Sequence, residues 1–156
     1  MNGDTGPPVP TRGVLIGLDY GSKRVGVAVC DSGQSIASPL QVLQQQPGIE
    51  KQLKQIADEY AAVGLVVGLP VHMSGDEGEK AQEARKFGGQ IVTATKLPIV
   101  FHDERFTSKM ADIAMIGAGL SQQKRKAKID MLAAQFMLQA YLNSPRDSSG
   151  PAPLND

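Results

Sequence analysis

The stretch from Val14 to Cys30, reading Val-Leu-Ile-Gly-Leu-Asp-Tyr-Gly-Ser-Lys-Arg-Val-Gly-Val-Ala-Val-Cys, limits the fold more than any other part of the chain. Val14 to Leu18 and Val25 to Val29 are β-prone apolar runs separated by turn residues at Tyr20-Gly21-Ser22-Lys23, so they read as two strands joined by a tight turn. Asp19 closes the first strand. Ionising a carboxylate inside the core carries a large desolvation cost, so an acid at the end of so apolar a run marks where the sheet meets water or a ligand. Gly17 and Gly21 flank it and, lacking a Cβ, would let an anionic partner such as a phosphate approach the backbone beside Asp19. The plainer reading of Asp19 is a residue that opens a hairpin turn.

Beyond this hairpin, Asp31-Ser32-Gly33-Gln34 supplies another turn, and Ser35 to Leu43 reads as a third strand whose Pro39 suits an edge or a strand end. From Pro47, the residues Ile49, Leu53, Ile56, Ala57 and Tyr60 recur at helical spacing and predict an amphipathic helix. Gly64 to Pro70 is a short continuous apolar run, suited to a strand buried on both faces as in a parallel sheet. Ser74-Gly75-Asp76-Glu77 has the form of a capping box and predicts a helix running to about Lys96, with Gly88-Gly89 marking a kink or a close packing contact. Leu97 to His102 reads as a fifth strand, with Asp103-Glu104-Arg105 at its end. Thr107 or Ser108 then caps a helix through Ile116 that stops at Gly117-Ala118-Gly119, and Leu120 to Gln123 reads as a mobile loop. The last helix is expected over about Lys124 to Leu142, with an apolar stripe of Ile129, Leu132, Ala133, Phe136, Met137 and Ala140. Asp130 is the exception: at helical spacing it lies angularly close to Ala134, Met137 and Tyr141 and faces the packed side.

The order predicts an α/β domain with a mixed five-stranded sheet, its first three strands antiparallel and the fourth and fifth added in parallel through right-handed crossovers. A chain of 156 residues suits one such domain, here residues 13 to 143, with residues 1–12 and 144–156 read as disordered lead and tail. A lone cysteine, Cys30, forms no intramolecular disulfide and fits a reducing, cytoplasmic compartment. No apolar run is long enough for a membrane span, and residues 1–12 hold no signal-like apolar core, so neither membrane insertion nor secretion is expected. Sixteen Lys+Arg balance sixteen Asp+Glu, so any basic footprint for nucleic acid must be local.

Ligands of such sheets gather at the carboxyl ends of the strands, and Asp19 and Glu104 both stand at such ends. If the first and fourth strands are neighbours and the fifth lies beyond, the two acids share one sheet edge, and Asp130 is placed to complete the set. Three converging carboxylates repel one another unless a divalent cation joins them, and all-oxygen ligation favours Mg²⁺ or Mn²⁺ over zinc. His72 and His102 match no zinc-ligand spacing. Separately, Glu104 reads as an ion-pair partner of Arg105, and Asp130 as an acid at a helix start. Lys23 and Arg24 follow Asp19 across the turn, while Lys124, Arg125, Lys126 and Lys128 precede Asp130. Cations at a helix start oppose its dipole, which favours a phosphate-facing use over a purely structural one.

Gly17-Leu18-Asp19-Tyr20-Gly21-Ser22-Lys23-Arg24-Val25-Gly26-Val27-Ala28, Val67-Gly68-Leu69-Pro70 with Gly75 and Glu77-Gly78, Asp103-Glu104-Arg105-Phe106-Thr107-Ser108, and Ile129-Asp130-Met131-Leu132-Ala133-Ala134 together resemble the YqgF/RuvX family. The resemblance covers nearly the whole domain in the right order. It implies an RNase H-like fold, a catalytic and metal-binding triad of Asp19, Glu104 and Asp130, and a hydrolase active on phosphodiester bonds with Mg²⁺ or Mn²⁺, two ions in all. The family is described both as a nuclease maturing the 5′ end of pre-16S ribosomal RNA and as a Holliday junction resolvase. A cytoplasmic enzyme of ribosome biogenesis is therefore implied, with precursor rRNA or branched DNA, and ribosomal assembly intermediates, as partners. Lys23, Arg24, Arg105, Thr107, Lys124 and Arg125 are the expected substrate contacts. Tyr20 departs from the small or apolar residue common in the family, and His72 from a polar or aliphatic one.

Gly17-Leu18-Asp19-Tyr20-Gly21 also resembles the first phosphate loop of actin-like ATPases and sugar kinases, but those need a second such domain and this chain has no second Gly-x-Asp-x-Gly. A non-catalytic RNA-binding assembly factor remains a reading of another class. Metal-dependent turnover distinguishes it from a nuclease.

Overall fold

Alternation of side chains along the first hairpin decides the layering of the molecule. In a computed structural model that describes residues 7–72, 74–104 and 121–146, β1 (Leu15–Tyr20), β2 (Arg24–Cys30), β3 (Ala37–Gln44), β4 (Gly64–Leu69) and β5 (Ile99–Asp103) form one sheet in the order β3-β2-β1-β4-β5. β1 pairs antiparallel with β2, β2 antiparallel with β3, and β4 parallel with both β1 and β5. Pro39 thus sits on an edge strand, near a register shift at Val27/Ala28. Every residue of β4 is buried, as its unbroken apolar run predicts for a strand covered on both faces.

Ile16, Leu18, Val25, Val27, Leu65 and Val67 project to one face. There they meet Ile49, Leu53 and Ile56 of α1 (Ile49–Glu59) and Phe87 and Ile91 of α2 (Glu79–Thr95). Leu15, Ala28, Cys30 and Val66 project to the other, against Ala134, Met137, Leu138 and Leu142 of α3 (Gln122–Asn143). The buried side of α3 therefore runs through Ala134, Met137 and Leu138. Ile129, Leu132, Phe136 and Ala140, read as the apolar stripe, are only half-buried. That rotation places Asp130 on the sheet side.

Close packing of α3 depends on glycines in the sheet. A Cβ on Gly17 would come within 2.9 Å of Leu138 Cβ, and one on Gly26 would overlap the backbone oxygen of Asp130. Gly17 thus admits a helix, not the phosphate expected there. Gly88 admits β5, since a Cβ there would fall 2.7 Å from Phe101 Cζ and 2.8 Å from Ile99 Cδ1, so close packing is the reason for that glycine.

Two local expectations are corrected. Ser74-Gly75-Asp76-Glu77 does not cap α2: the helix starts after Gly78 with no side-chain cap, Ser74 Oγ bonds to Asp76 Oδ2, and Glu77 pairs with Arg85 at 2.7 Å. The extended bridge between Val71 and Glu77 holds that segment in a hairpin, which removes it from the helix. Residues 121–123 are not a loop end, because Ser121 Oγ accepts from the Lys124 amide at 3.3 Å and caps α3, which starts two residues earlier than expected. The helix expected from Thr107 or Ser108 through Ile116 lies outside the described residues. Contacts with the body reach into the two ends: Val9 packs against the core cluster that contains Leu15 and Leu142, Gln34 Nε2 donates to the Pro10 and Gly13 carbonyls, and Arg146 donates to Gln34 Oε1.

The turn after β2 is held by Asp31, whose Oδ1 accepts from the Ser35 amide at 2.8 Å and the Ile36 amide at 2.7 Å. These bonds, from Ile36 first, hold its carboxyl below the ordinary value. A depressed carboxylate contributes stability that is present above its unfolded pKa of about 3.9 and lost as pH falls through the lower folded value. Asp31→Asn is expected to melt below wild type at pH 6, the gap narrowing steadily toward pH 3; thermal melts across that range check it.

Candidate active site

The parallel pairing of β1, β4 and β5 brings their carboxyl ends to one edge, with Leu18 beside Val67 and Leu69 beside Asp103. Asp19, one residue before the end of β1, and Glu104, one residue beyond β5, line the same cleft of about 120 Å³. Tyr20, Gly21, Ser22, Pro70, Lys80 and Glu83 complete its lining. Glu104 reaches the cleft across the backbone of β4: a Cβ on Gly68 would overlap its Oε2, and the Glu104 amide donates to the Leu69 carbonyl at 3.2 Å. Gly68→Ala is expected to displace this carboxylate. Cleavage should fall by about a hundredfold, the cost of an angstrom-scale misplacement, while stability changes by under about 1.5 kcal/mol. Single-turnover rates and thermal melts of the same preparation separate the two.

Asp130 is not among the residues that line this cleft, although its backbone packs on Gly26, the partner of Asp19 across the hairpin. Its Oδ2 accepts from Arg24 Nε at 2.5 Å in a partly buried ion pair that ties the start of α3 to β2. Among the described residues, no three His, Cys, Asp or Glu side chains form a group that could hold a metal ion. Arg24, expected as a phosphate contact, is thus engaged with an acid. Lys23, Lys124 and Arg125 are exposed, the last two on the first turn of α3. Arg105 and Thr107 lie outside the described residues. His102 is half-buried against Tyr141, ring edge to face at 5.8 Å, and this desolvation pushes its pKa down against the opposing pull of Glu104 and Asp103.

Lys80 and Glu83 escaped the sequence reading because nothing in the pattern of α2 distinguishes them from solvated charges. Lys80 stands three residues before Glu83 and seven before Phe87, the spacing that puts all three on one helix face. Tyr20 links that face to β1. Its hydroxyl donates to Glu83 Oε1 at 3.5 Å, and its ring tilts against Phe87 at 5.2 Å. A larger groove of about 620 Å³ runs between α2 and β5, lined by Val92, Leu97, Ile99 and Phe101 with Arg85 and Lys96. Among the described residues that line it there is no carboxylate.

A mixed sheet in this order, helices on both faces and acids at the carboxyl ends of its parallel strands, is the RNase H-like fold of RuvC-type resolvases. The structure superposes on T. thermophilus RuvC in complex with Holliday junction substrate with a TM-score of 0.55 at 15% identity, covering 83% of this chain and 93% of that one. It superposes on the fowlpox virus resolvase in complex with Holliday junction DNA with a TM-score of 0.52 at 10% identity, covering 84% and 99%. The model of the RuvX family, described as Holliday junction resolvase, matches residues 13–144, and the chain belongs to that family of nucleases. Relatives named "Putative pre-16S rRNA nuclease" include a Cereibacter sphaeroides protein, 42% identical over 137 residues with 86% of each chain covered. Another, from Rhodobacter capsulatus, is 40% identical over 143 residues, covering 90% of this chain and 89% of its own.

Proposed function

We propose that this protein is a divalent-metal-dependent nuclease that hydrolyses phosphodiester bonds in the 5′-end maturation of precursor 16S rRNA, acting in the cytoplasm on ribosomal assembly intermediates. The observation that carries the reading is the meeting of Asp19 and Glu104 in one cleft at the carboxyl ends of adjacent parallel strands. Relatives at about 40% identity over most of the chain support the substrate.

The donor chemistry fits a hard cation, because the cleft offers carboxylate oxygens and neither imidazole nor thiolate. Asp19 and Glu104 would hold Mg²⁺ or Mn²⁺, with Asp130 as the third acid of the set. Two such ions, if bound there, would supply activation of the attacking water and stabilisation of the leaving 3′ oxygen. The chain's own side chains do the rest. Arg24 orients Asp130 through their ion pair, and the exposed Lys23, in the turn after Asp19, and Lys124 and Arg125, on the first turn of α3, attract the phosphate backbone. Arg105 and Thr107 remain proposed substrate contacts from the motif that carries Glu104.

The description of the family model favours a second reading, resolution of four-way DNA junctions. Purified protein with Mg²⁺ or Mn²⁺, presented in parallel with a precursor 16S rRNA fragment and a four-way junction, tests both. Metal-dependent cleavage of the RNA alone is the expected result. Symmetric nicking of the junction without RNA cleavage would move the protein to recombination, and RNA binding without cleavage of either would make it an assembly factor.

A further inference from the structure

The cleft that holds Asp19 and Glu104 also contains Glu83, so three carboxylates face whatever enters it. A phosphodiester brought there meets like charge, and its approach requires cations on the cleft wall. Among the described residues that line the cleft, Lys80 is the one cation. It is exposed, and among the described residues it forms no ion pair, although Lys54, Arg24 and Arg85 all do. Its position is fixed by its neighbours on α2. Ala81 and Ala84 are fully buried against Leu69 at the end of β4, so the helix cannot roll away from the strand ends. Glu83 and Phe87, on the same face as Lys80, are engaged by the hydroxyl and the ring of Tyr20, the residue next to Asp19. The start of α2 is thereby registered against the proposed catalytic acid itself.

We propose that Lys80 is a substrate-contacting residue that receives a phosphate of the polynucleotide backbone in the Asp19–Glu104 cleft, with the Tyr20–Glu83–Phe87 contacts holding its helix in place. This deepens the nuclease reading and rests on it. Lys80 contacts phosphate as a point charge and reads no base, so its contribution is the same for any sequence and depends on salt.

The test measures binding of the full-length protein to a precursor 16S rRNA fragment and to a four-way DNA junction, across a range of salt concentrations, for wild type, Lys80→Met and Lys80→Arg. Calcium replaces magnesium so that the substrates stay intact. In Lys80→Met the slope of log affinity against log salt is expected to become shallower by about 0.7 to 0.9 on whichever substrate the wild type binds, with affinity about three- to tenfold weaker at low salt. Lys80→Arg should keep the wild-type slope, because it keeps the charge. Thermal melts of all three should coincide, since the side chain is exposed. A wild-type slope in Lys80→Met overturns the contact while leaving the nuclease reading intact. Failure of the wild type to bind either nucleic acid overturns that reading first, and the contact with it.

Discussion

Asp19→Asn is expected to lower metal-dependent cleavage by at least about a thousandfold, because it removes a negatively charged oxygen donor from the point where the two carboxylates meet. The fold should survive the change. Asp19 lies near the open end of β1, half-buried and paired across the hairpin with Gly26, so the isosteric amide leaves packing untouched. Removing one of the like charges in the cleft relieves repulsion with Glu104 and Glu83, and the melting temperature should stay the same or rise slightly. The decisive comparison is single-turnover cleavage beside a thermal melt. A variant that keeps even a tenth of wild-type activity would remove Asp19 from the chemistry, and one that is inactive because it unfolds would leave its structural role as the explanation.

The second large effect is expected at Gly26, where function and stability fail together. A Cβ at this position would overlap the backbone oxygen of Asp130 and press on Ala134 Cβ at 3.3 Å. A flexible side chain could swing aside, but the obstacle is the backbone of α3 itself, so the helix must lift from β2. Gly26→Ala is therefore expected to cost about 2–4 kcal/mol, at or above the upper end for overpacking, and to lower the melting temperature by roughly 6 to 12 °C. Lifting α3 also stretches the Arg24–Asp130 ion pair, and cleavage measured well below the melting point should drop by about a hundredfold. Gly68→Ala makes the contrast. There the obstacle is the end of the Glu104 side chain, so activity should fall with little loss of stability. Equal stability losses in the two glycine variants would contradict this account of how α3 and Glu104 are seated.

Much of the architecture was legible from periodicity. The apolar runs Val14–Leu18 and Val25–Val29 with turn residues between them, and the unbroken apolar run of Gly64–Leu69, identify a hairpin and a strand covered on both faces, because burial on both faces leaves no polar alternation in the side chains. The positions of Asp19 and Glu104 after apolar runs were legible for the same reason: desolvation makes a charged residue at a strand end conspicuous. The start of α2 was misread because Ser74 and Glu77 have the spacing of a capping box while their side chains are used elsewhere, on Asp76 and Arg85. Spacing states what a residue can reach. It does not state what it reaches first.

The sequence by itself determined the elements, their order, and the acids that end two parallel strands, since each follows from local patterns of burial and charge. The tertiary structure alone decided which groups meet. Glycines in three different strands let α3 and the Glu104 side chain approach the sheet, Arg24 faces Asp130 across 106 residues of chain, and Lys80 and Glu83 arrive beside Asp19 from a helix whose local pattern gives them no distinction. These juxtapositions depend on strand register and on the rotation of a helix about its axis. Both are set by contacts between segments far apart in the chain, which no local window contains.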